Sequence, residues 1–510
     1  MSVPHTLGIA LAGVQGALIR VEANVLNATP KFVLIGLPDA ALNEARDRVR
    51  SALDAAGAPL LGRHVVINLS PAALPKQGPG FDVAIALVAA AVAGVVPAES
   101  LTQTVHIGEL ALDGRLRPVH GVLPAVHAAA ALGVRRVVVP AGNREEAELV
   151  SGIEVVGATS LRQLLIAYGA ELEPLDEELP IEPLASVAPT VDEDIPDLAE
   201  VRGHAEARDA LVIAAAGGHH SFLLGPPGSG KTLLARCIPG ILPQLTHAEA
   251  LEVAAVMSLC APGAGARLTT VPPWQAPHHS ATSAALAGGG GAIIRPGALA
   301  RAHRGVLFLD EAPEFPRRVL DVLRQPLESG TITIHRARGE ARFPAAFQLI
   351  LAANPCPCGM WGLPSSPCTC GPHARRSYLG RLSGPLLDRV DIQLWIPRLT
   401  SLAGHPAGEH SASARERVTE ARARAQRRLR ESPWTRNADV PTSWLRSHAA
   451  EPSADAVELL EAAVARGQLS LRGADRAIRV AWTVADLGGA DRPQRGHLAR
   501  ALALRPGGAA

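Results

Sequence analysis

The sequence has little net charge and few cysteines, and it lacks any long apolar run. Its formal net charge is +1, with 49 basic side chains against 48 acidic ones over 510 residues. This balance provides no global field for attracting a polyanion, so any nucleic-acid contact has to come from a local patch. The N-terminus has no basic segment before its apolar residues, and the most apolar stretch, 83–96, is too short for a membrane span. We expect a cytoplasmic protein without a membrane segment, in which 83–96 is a buried helix.

Lysine is also scarce. Lys31, Lys76 and Lys231 are the only lysines, and the other cationic side chains are arginines. Lys231 lies in the segment GPPGSGKT (225–232), which matches G-x-x-x-x-G-K-T between an apolar run and an amphipathic segment. Glycines let such a loop wrap an anion with its backbone N–H groups, while a lysine reaches the β- and γ-phosphates. The predicted ATP·Mg²⁺ site comprises Gly225, Pro226, Pro227, Gly228, Ser229, Gly230, Lys231 and Thr232, the last as a magnesium ligand.

Two later apolar segments end in polar residues that suit the same chemistry. VLFLDE (306–311) predicts a strand followed by Asp310, which would hold Mg²⁺ through its water shell, and Glu311, which would polarise the attacking water. The segment 347–355 predicts a neighbouring strand that ends at Asn354, placed to orient that water. Together these residues predict ATP hydrolysis.

The organisation of the chain follows from its composition. Residues 1–168 mix β-rich and Ala-rich segments, whereas 169–196 is an acidic, proline-rich linker with no basic residue. Alternating strand and helix patterns predict a parallel α/β core over 197–398, and 399–510 is predicted to be helical. The Arg-rich segment 413–430 predicts a long helix with either a solvated face or, as the alternative, a nucleic-acid patch.

Four of the six cysteines lie close together in an insert, 355–372. Four thiolates satisfy a closed tetrahedral Zn²⁺ site, although the C-x-C spacing is tighter than usual. Structural zinc is the preferred interpretation and free thiols are the alternative. The predicted ligands are Cys356, Cys358, Cys368 and Cys370.

Beyond the phosphate loop, the motif PHHSATSAALAGGG (277–290) and the segment LSGPLLDRVDIQ, which contains Arg389, resemble the magnesium-chelatase-like AAA+ ATPases. Within that group the chain is similar to the YifB/ComM family over nearly its whole length. The resemblance implies an AAA+ core with a parallel sheet, a C-terminal helical lid and a homo-hexameric ring. It also implies that Asn354 is sensor 1, that Arg389 is an arginine finger directed at a neighbouring subunit, and that Arg472 is sensor 2, with Arg476 as the alternative.

The segments 73–90 and 106–134 resemble the proteolytic domain of Lon, an α+β fold of the ribosomal S5 domain 2 type. A Ser–Lys dyad performs catalysis in that domain. Here Gly80 occupies the serine position and Pro124 the lysine position, while Lys76 belongs to the preceding loop. The resemblance therefore implies a pseudo-enzyme domain that serves as an assembly or DNA-facing platform.

The family resemblance implies a hexameric helicase that promotes branch migration on single-stranded or branched DNA, in natural transformation and homologous recombination. One alternative is the ATPase subunit of a magnesium chelatase, which the cysteine insert and the Lon-like domain oppose. The other is an ATP-dependent Lon-like protein-remodelling factor or protease; the absent dyad opposes the protease. Candidate DNA contacts are Arg336, Arg338 and Arg342 in a predicted hairpin. The alternative for this hairpin is a solvated turn whose arginines pair with acidic residues.

Overall fold

A computed structural model of the chain describes residues 3–36, 40–60, 62–74, 76, 79–174, 181, 195–260, 267–290, 294–336, 339–363, 368–399, 407–445 and 451–505. Most of the predicted linker lies outside the described residues, and the domain boundaries stay predictions. Among the residues described, no helix combines the length and apolarity needed to cross a membrane.

The N-terminal region is a seven-stranded mixed sheet in the order β3-β4-β2-β1-β5-β8-β9, packed against helices. Helix α2 is the predicted buried helix of the apolar stretch, and its ten residues from Asp82 to Ala91 are buried. The elements are β1 His5–Ala12, β2 Gln15–Leu26, β3 Lys31–Ile35, α1 Ala40–Ala55, β4 His64–Ser70, α2 Asp82–Val92, β5 Thr104–His106, β6 Glu109–Leu110, β7 Leu116–Arg117, α3 Val122–Ala131, β8 Arg136–Pro140, α4 Arg144–Ala147, β9 Glu154–Ala158 and α5 Leu161–Ala167.

The central region contains a five-stranded, fully parallel sheet in the order β11-β14-β17-β10-β18. Strand β10 lies between β17 and β18, so the phosphate loop that follows it emerges at the carboxyl edge of the sheet, where α/β folds bind ligands. The elements are α6 Ala205–Gly217, β10 Ser221–Leu224, α7 Lys231–Arg236, α8 Ile238–Ile241, α9 His247–Ser258, β11 Trp274–Gln275, α10 Ser283–Ala287, β12 Gly288–Gly289, β13 Arg295–Pro296, α11 Ala298–Arg301, β14 Val306–Leu309, α12 Arg317–Asp321, α13 Arg324–Ser329, β15 Thr331–Arg336, β16 Gly339–Pro344, β17 Gln348–Ala353, α14 Pro372–Leu379, α15 Gly384–Leu387 and β18 Ile392–Trp395.

The C-terminal region is helical, as predicted. Its helices are α16 Ser411–Arg428, α17 Thr442–Leu445, α18 Ala454–Ala465, α19 Leu471–Gly488 and α20 Arg495–Ala503. Helix α16 has an exposed face, the preferred interpretation of its sequence, and an opposite side that packs against the core. Arg415 donates to the carbonyl of Gly240 at 2.6 Å, and Arg422 donates to the carbonyl of Ala215 at 2.6 Å. These arginines satisfy carbonyls at helix ends, which helps to fix the lid to the core.

Among the described residues, polar contacts join the N-terminal region to the central region at the β1–β2 turn and at α4. The backbone N–H of Val14 donates to the carbonyl of Arg342 at 3.4 Å, which joins the β1–β2 turn to the stem of the β15–β16 hairpin. At the other contact, Ser258 at the end of α9 donates to the carboxylate of Glu146. Burial raises the pKa of Glu146 above its ordinary value. The two regions are therefore held together by specific polar contacts.

Candidate nucleotide-binding site

The phosphate loop connects β10 to α7 with the backbone that its glycines permit. Gly228 and Gly230 have φ values of 73° and 85°, a left-handed conformation that favours glycine. Gly225 lies so close to its neighbours that a Cβ there would be 2.3 Å from the carbonyl oxygen of Ile396. The glycine pattern in the sequence thus corresponds to turns and a close backbone approach in the structure.

Lys231 bridges the loop and the adjacent strand. Its ammonium donates to the carbonyls of Gly225 at 2.7 Å and Pro226 at 3.0 Å, and to the Asn354 Oδ1 atom at 3.3 Å. Burial lowers the pKa of Lys231 below its ordinary value, although two nearby carboxylates oppose this shift. The structure therefore brings Lys231 and Asn354 together, as predicted from their positions after neighbouring strands.

The predicted cation-binding residues also meet. The Thr232 hydroxyl donates to the Asp310 Oδ2 atom at 2.8 Å, and the other oxygen of Asp310 accepts from the Glu311 backbone N–H at 2.9 Å. A hydroxyl beside a carboxylate is a ligand pair suited to Mg²⁺. The Ser229 hydroxyl in the same loop is buried and has no hydrogen-bond partner among the residues described. An unsatisfied buried hydroxyl in a phosphate loop fits a phosphate ligand.

Glu311 has a partner that the motif analysis missed. Its carboxylate Oε2 atom lies 3.2 Å from the Nδ1 atom of His279, and its own backbone has a φ of 50°. A positive φ is uncommon outside glycine and is concentrated at functional sites. The segment PHHS carries a family resemblance but no local signal that His279 reaches a residue 32 positions away.

Arg389, Arg472 and Arg476 form a separate arginine cluster. They line a cavity of about 380 Å³ with Glu328 and Asp388. Arg389 pairs with Glu328, whereas Arg472 and Arg476 both pair with Asp388, at 3.4 Å and 3.3 Å. Burial and three neighbouring arginines lower the pKa of Arg389 below its ordinary value. In the described part of the chain, no hydrogen bond or ion pair joins this cluster to the phosphate loop, Asp310, Glu311 or Asn354.

The four clustered cysteines come together beside the nucleotide site. Sulfur–sulfur distances are 3.4 Å between Cys356 and Cys358, and 3.6 Å from each of these to Cys368. All four sulfurs, including that of Cys370, lie within 4.8 Å of one another. Tetrahedral Zn–S geometry requires sulfurs about 3.8 Å apart, whereas a disulfide requires about 2.05 Å. The donor set therefore fits one zinc ion.

The predicted DNA hairpin is present as β15 and β16, paired from Thr331↔Pro344 to Arg336↔Gly339. Arg342 is exposed on its stem, opposite Thr333. Arg338 lies outside the described residues, and only the backbone of Arg336 is described. The two leading DNA candidates thus stay predictions.

The positions that would hold a Lon dyad offer no nucleophile or base. Gly80 has no side chain, and Pro124 is buried within α3. Lys76 is buried, and its ammonium donates to the carbonyls of Gly36, at 3.0 Å, and Pro71. Its role is to hold together the loops around β4.

The parallel core, the phosphate loop and the Asp310–Glu311 strand together define an AAA+ ATPase. The family model described as magnesium chelatase, subunit ChlI, matches residues 197–403, and the models for subunit ChlI of Mg-chelatase and for the ChlI C-terminal region match 21–143 and 408–505. The chain is 46% identical to an uncharacterized protein of Mycobacterium tuberculosis, with all of both chains covered. It is 40% identical to the competence protein ComM of Haemophilus influenzae, covering 99% of this chain and 98% of ComM, and 39% identical to the uncharacterized protein YifB of Escherichia coli, covering 99% and 97%. A Lon protease of Phenylobacterium zucineum is 32% identical over 146 residues, 27% of this chain and 18% of that protease. The chain belongs to the ComM/YifB family of magnesium-chelatase-type AAA+ proteins.

Proposed function

We propose that this protein is an ATP-driven DNA motor, a homo-hexameric branch-migration helicase that acts in natural transformation and homologous recombination. The observation that carries the proposal is the nucleotide site, in which Lys231, Asn354, Thr232 and Asp310 converge and Glu311 is adjacent. The DNA substrate is supported by the similarity to a competence protein over almost the entire length of both chains.

In this mechanism, bound ATP·Mg²⁺ supplies the electrophilic phosphorus and the leaving group. Lys231 neutralises charge on the phosphates, while Thr232 and Asp310 hold the cation. Glu311 accepts a proton from the attacking water, and the Asn354 amide orients that water. His279 contacts the Glu311 carboxylate and restricts its orientation.

The arginine cluster supports the proposed ring. Stabilising charge on a transferred phosphoryl group requires an arginine at the nucleotide. Because the contacts described for Arg389, Arg472 and Arg476 lie away from their own phosphate loop, we propose that the cluster faces the nucleotide of a neighbouring subunit. Arg476 is included because it pairs with the same carboxylate as Arg472.

We further propose that Cys356, Cys358, Cys368 and Cys370 bind one structural Zn²⁺ per chain. Four sulfurs within 4.8 Å support this assignment. With all four ligands supplied by cysteine, no position remains open for catalysis. The zinc would stabilise the segment that follows Asn354.

The test is the rate of ATP hydrolysis with single-stranded DNA, a three-way branched DNA, chelatase partner subunits with porphyrin, or casein as the added component. We expect stimulation by DNA, and ATP-dependent extension of a branched joint in a gel assay. Stimulation only by the porphyrin mixture would favour the chelatase subunit, and stimulation only by casein would favour a protein-remodelling factor. Either result without a DNA effect would overturn the proposal.

A further inference from the structure

The loop that carries the cysteines touches the phosphate loop. Gly359 has a φ of +76°, and a Cβ built at this residue would lie 2.7 Å from the Pro227 ring and 3.9 Å from the Asn354 side chain. Backbone approaches of this kind leave no room for a side chain. The contact therefore links the cysteine loop directly to two predicted members of the nucleotide site.

The same loop is anchored at the end of the sensor strand. Cys356 is buried and lies two residues beyond Asn354, whose amide oxygen accepts from Lys231 at 3.3 Å. The backbone N–H of Gly359 donates to the carbonyl of Cys356 at 2.9 Å, which closes a tight turn between the first cysteine pair and Gly359. Cys356 is thus separated from Asn354 by a single residue and is joined to Gly359 by a hydrogen bond.

The outer side of the loop is fixed by aromatic contacts. Trp361 meets Trp395 edge to face with ring centroids 6.0 Å apart, and the Arg375 guanidinium lies 5.2 Å from the centre of the Trp361 ring. Trp395 is the last residue of β18, the strand paired with β10 before the phosphate loop. The cysteine loop is therefore held on one side by the cysteine cluster. On the other side it is held by contact with Trp395 of β18, the strand beside the phosphate loop.

We propose that the four-cysteine cluster is a positioning element of the nucleotide site, in which bound metal holds Gly359 against Pro227 and thereby sets the affinity for ATP. This inference rests on the proposed structural zinc. A bound metal cross-links the two cysteine pairs, so its loss increases the conformational freedom of the loop. When the loop is more flexible, Pro227 and Asn354 are no longer held in a single arrangement. Nucleotide binding then has to order these residues, which lowers the affinity for ATP.

The experiment measures the binding of a fluorescent ATP analogue with Mg²⁺ to full-length protein in a Glu311→Gln background, where turnover does not deplete the analogue. Zinc content is measured in parallel. Zinc is removed with phenanthroline, which leaves Mg²⁺ in place, and is then restored.

Two alanine variants separate the effect of the Gly359–Pro227 contact from the effect of the metal. Gly359→Ala keeps all four ligands but places a methyl group against Pro227. Gly133→Ala is the matched control, since it has a similar φ of +81° but a Cβ there meets no atom within 4 Å.

We expect zinc removal to weaken analogue binding at least about tenfold and zinc restoration to reverse the loss. Gly359→Ala should retain one zinc per chain and lose affinity by a similar factor, whereas Gly133→Ala should bind within about twofold of the parent. Equal affinity with and without zinc, or equal affinity of the two alanine variants, overturns the inference. If chelation unfolds the protein, the difference in analogue affinity between the two alanine variants tests the inference instead. A zinc-loaded parent that binds no nucleotide would instead refute the proposed ATP site, and a chain that takes up no zinc would refute the metal site and this inference together.

Discussion

The Nδ1 atom of His279 lies 3.2 Å from the carboxylate of Glu311, the residue that we propose polarises the attacking water. Glu311 holds this position with a φ of 50°, and its side chain is 49% exposed, so little packing fixes the carboxylate. The His279 ring in turn contacts the His278 ring, with centroids 4.0 Å apart and the two ring planes tilted by 35°. In the part of the chain that the structure describes, the His279 imidazole is the ion-pair partner of the Glu311 carboxylate.

We predict that His279→Ala lowers kcat for ATP hydrolysis about tenfold, equivalent to about 1.4 kcal/mol of transition-state stabilisation, with little change in nucleotide affinity. The reason is that a misoriented base slows proton transfer without removing a phosphate contact. Steady-state kinetics together with analogue binding measure the two quantities separately.

The choice of replacement sharpens this test. His279→Asn should recover most of the activity, because an asparagine amide nitrogen can take the place of Nδ1, whereas His279→Gln should not. His410→Ala is a matched control, since His410 pairs with Asp197 through the same ring atom at 3.4 Å near the start of α16. A His279→Ala protein with unchanged or increased kcat would show that the contact does not orient the base.

Lys231 and Glu311 should separate binding from hydrolysis. Lys231→Ala is expected to weaken binding of ATP·Mg²⁺, because it removes a buried ammonium from the phosphate loop. Glu311→Gln is expected to bind ATP normally and stall before hydrolysis. Lys31→Ala, which changes an exposed lysine of β3, should leave both quantities unaltered. Near wild-type turnover in Glu311→Gln would contradict the role given to this carboxylate.

The arginine cluster should act across a subunit boundary. Arg389→Ala and Lys231→Ala are each expected to abolish most hydrolysis, but mixed rings should regain some activity, because some interfaces then contain an intact loop and an intact arginine. Activity is measured across mixing ratios, with each variant alone as the baseline. The absence of any recovery, in rings shown by crosslinking to contain both variants, would argue that Arg389 acts within its own subunit.

Local motifs explain what the sequence could predict. The phosphate loop and the strand ending at Asp310 follow from short patterns, and parallel strands bring their carboxyl ends to one edge. Lys231 and Asn354 could therefore be placed together although 123 positions separate them.

Contacts between loops have no such local motif and could not be predicted from the sequence. The approach of Gly359 to Pro227 depends on a turn with φ +76° and on packing between loops, and neither has a periodic signature. Likewise, a run of arginines in α16 does not indicate that Arg415 and Arg422 end at backbone carbonyls of other helices. Tertiary context decides such partners, so the sequence left them open.

Buried histidines predict how stability responds to acid. His106 is fully buried between the Thr6 hydroxyl and the Tyr168 hydroxyl, each 2.7 Å from a ring nitrogen, and burial lowers the pKa of His106 to about 3. Below its ordinary pKa of about 6.5 the unfolded chain binds a proton that the folded chain excludes, so stability is lost as pH falls from about 6.5 towards 3. This one group should remove ~2 kcal/mol at about pH 5.

This loss is measured by urea unfolding of the full chain at a series of pH values between 8 and 5, with unfolding monitored by far-ultraviolet circular dichroism. His106→Asn has no titrating ring, so its free energy of unfolding should fall less steeply with acid than that of the wild type, even if it is lower at pH 8. Parallel pH profiles for the two proteins would contradict the assignment.

The final prediction concerns DNA binding, for which we predict contacts from the β15–β16 hairpin. Its buried residues include Ile332, Ile334 and Phe343, while Arg342 on the opposite face is exposed. A hairpin anchored by an apolar face can present arginines to phosphates without unfolding.

The double variant Arg336→Ala/Arg338→Ala should lower affinity for single-stranded DNA, make that affinity less dependent on salt, and abolish DNA-stimulated hydrolysis while basal hydrolysis survives. The salt slope is diagnostic, because each lost phosphate contact reduces the number of counterions released. Arg427→Ala/Arg430→Ala is the matched comparison, since it removes two exposed arginines at the C-terminal end of α16 and just beyond it, the competing candidate surface. If DNA affinity falls in this second variant and not in the first, the hairpin prediction is wrong and the 413–430 helix is the DNA-binding surface.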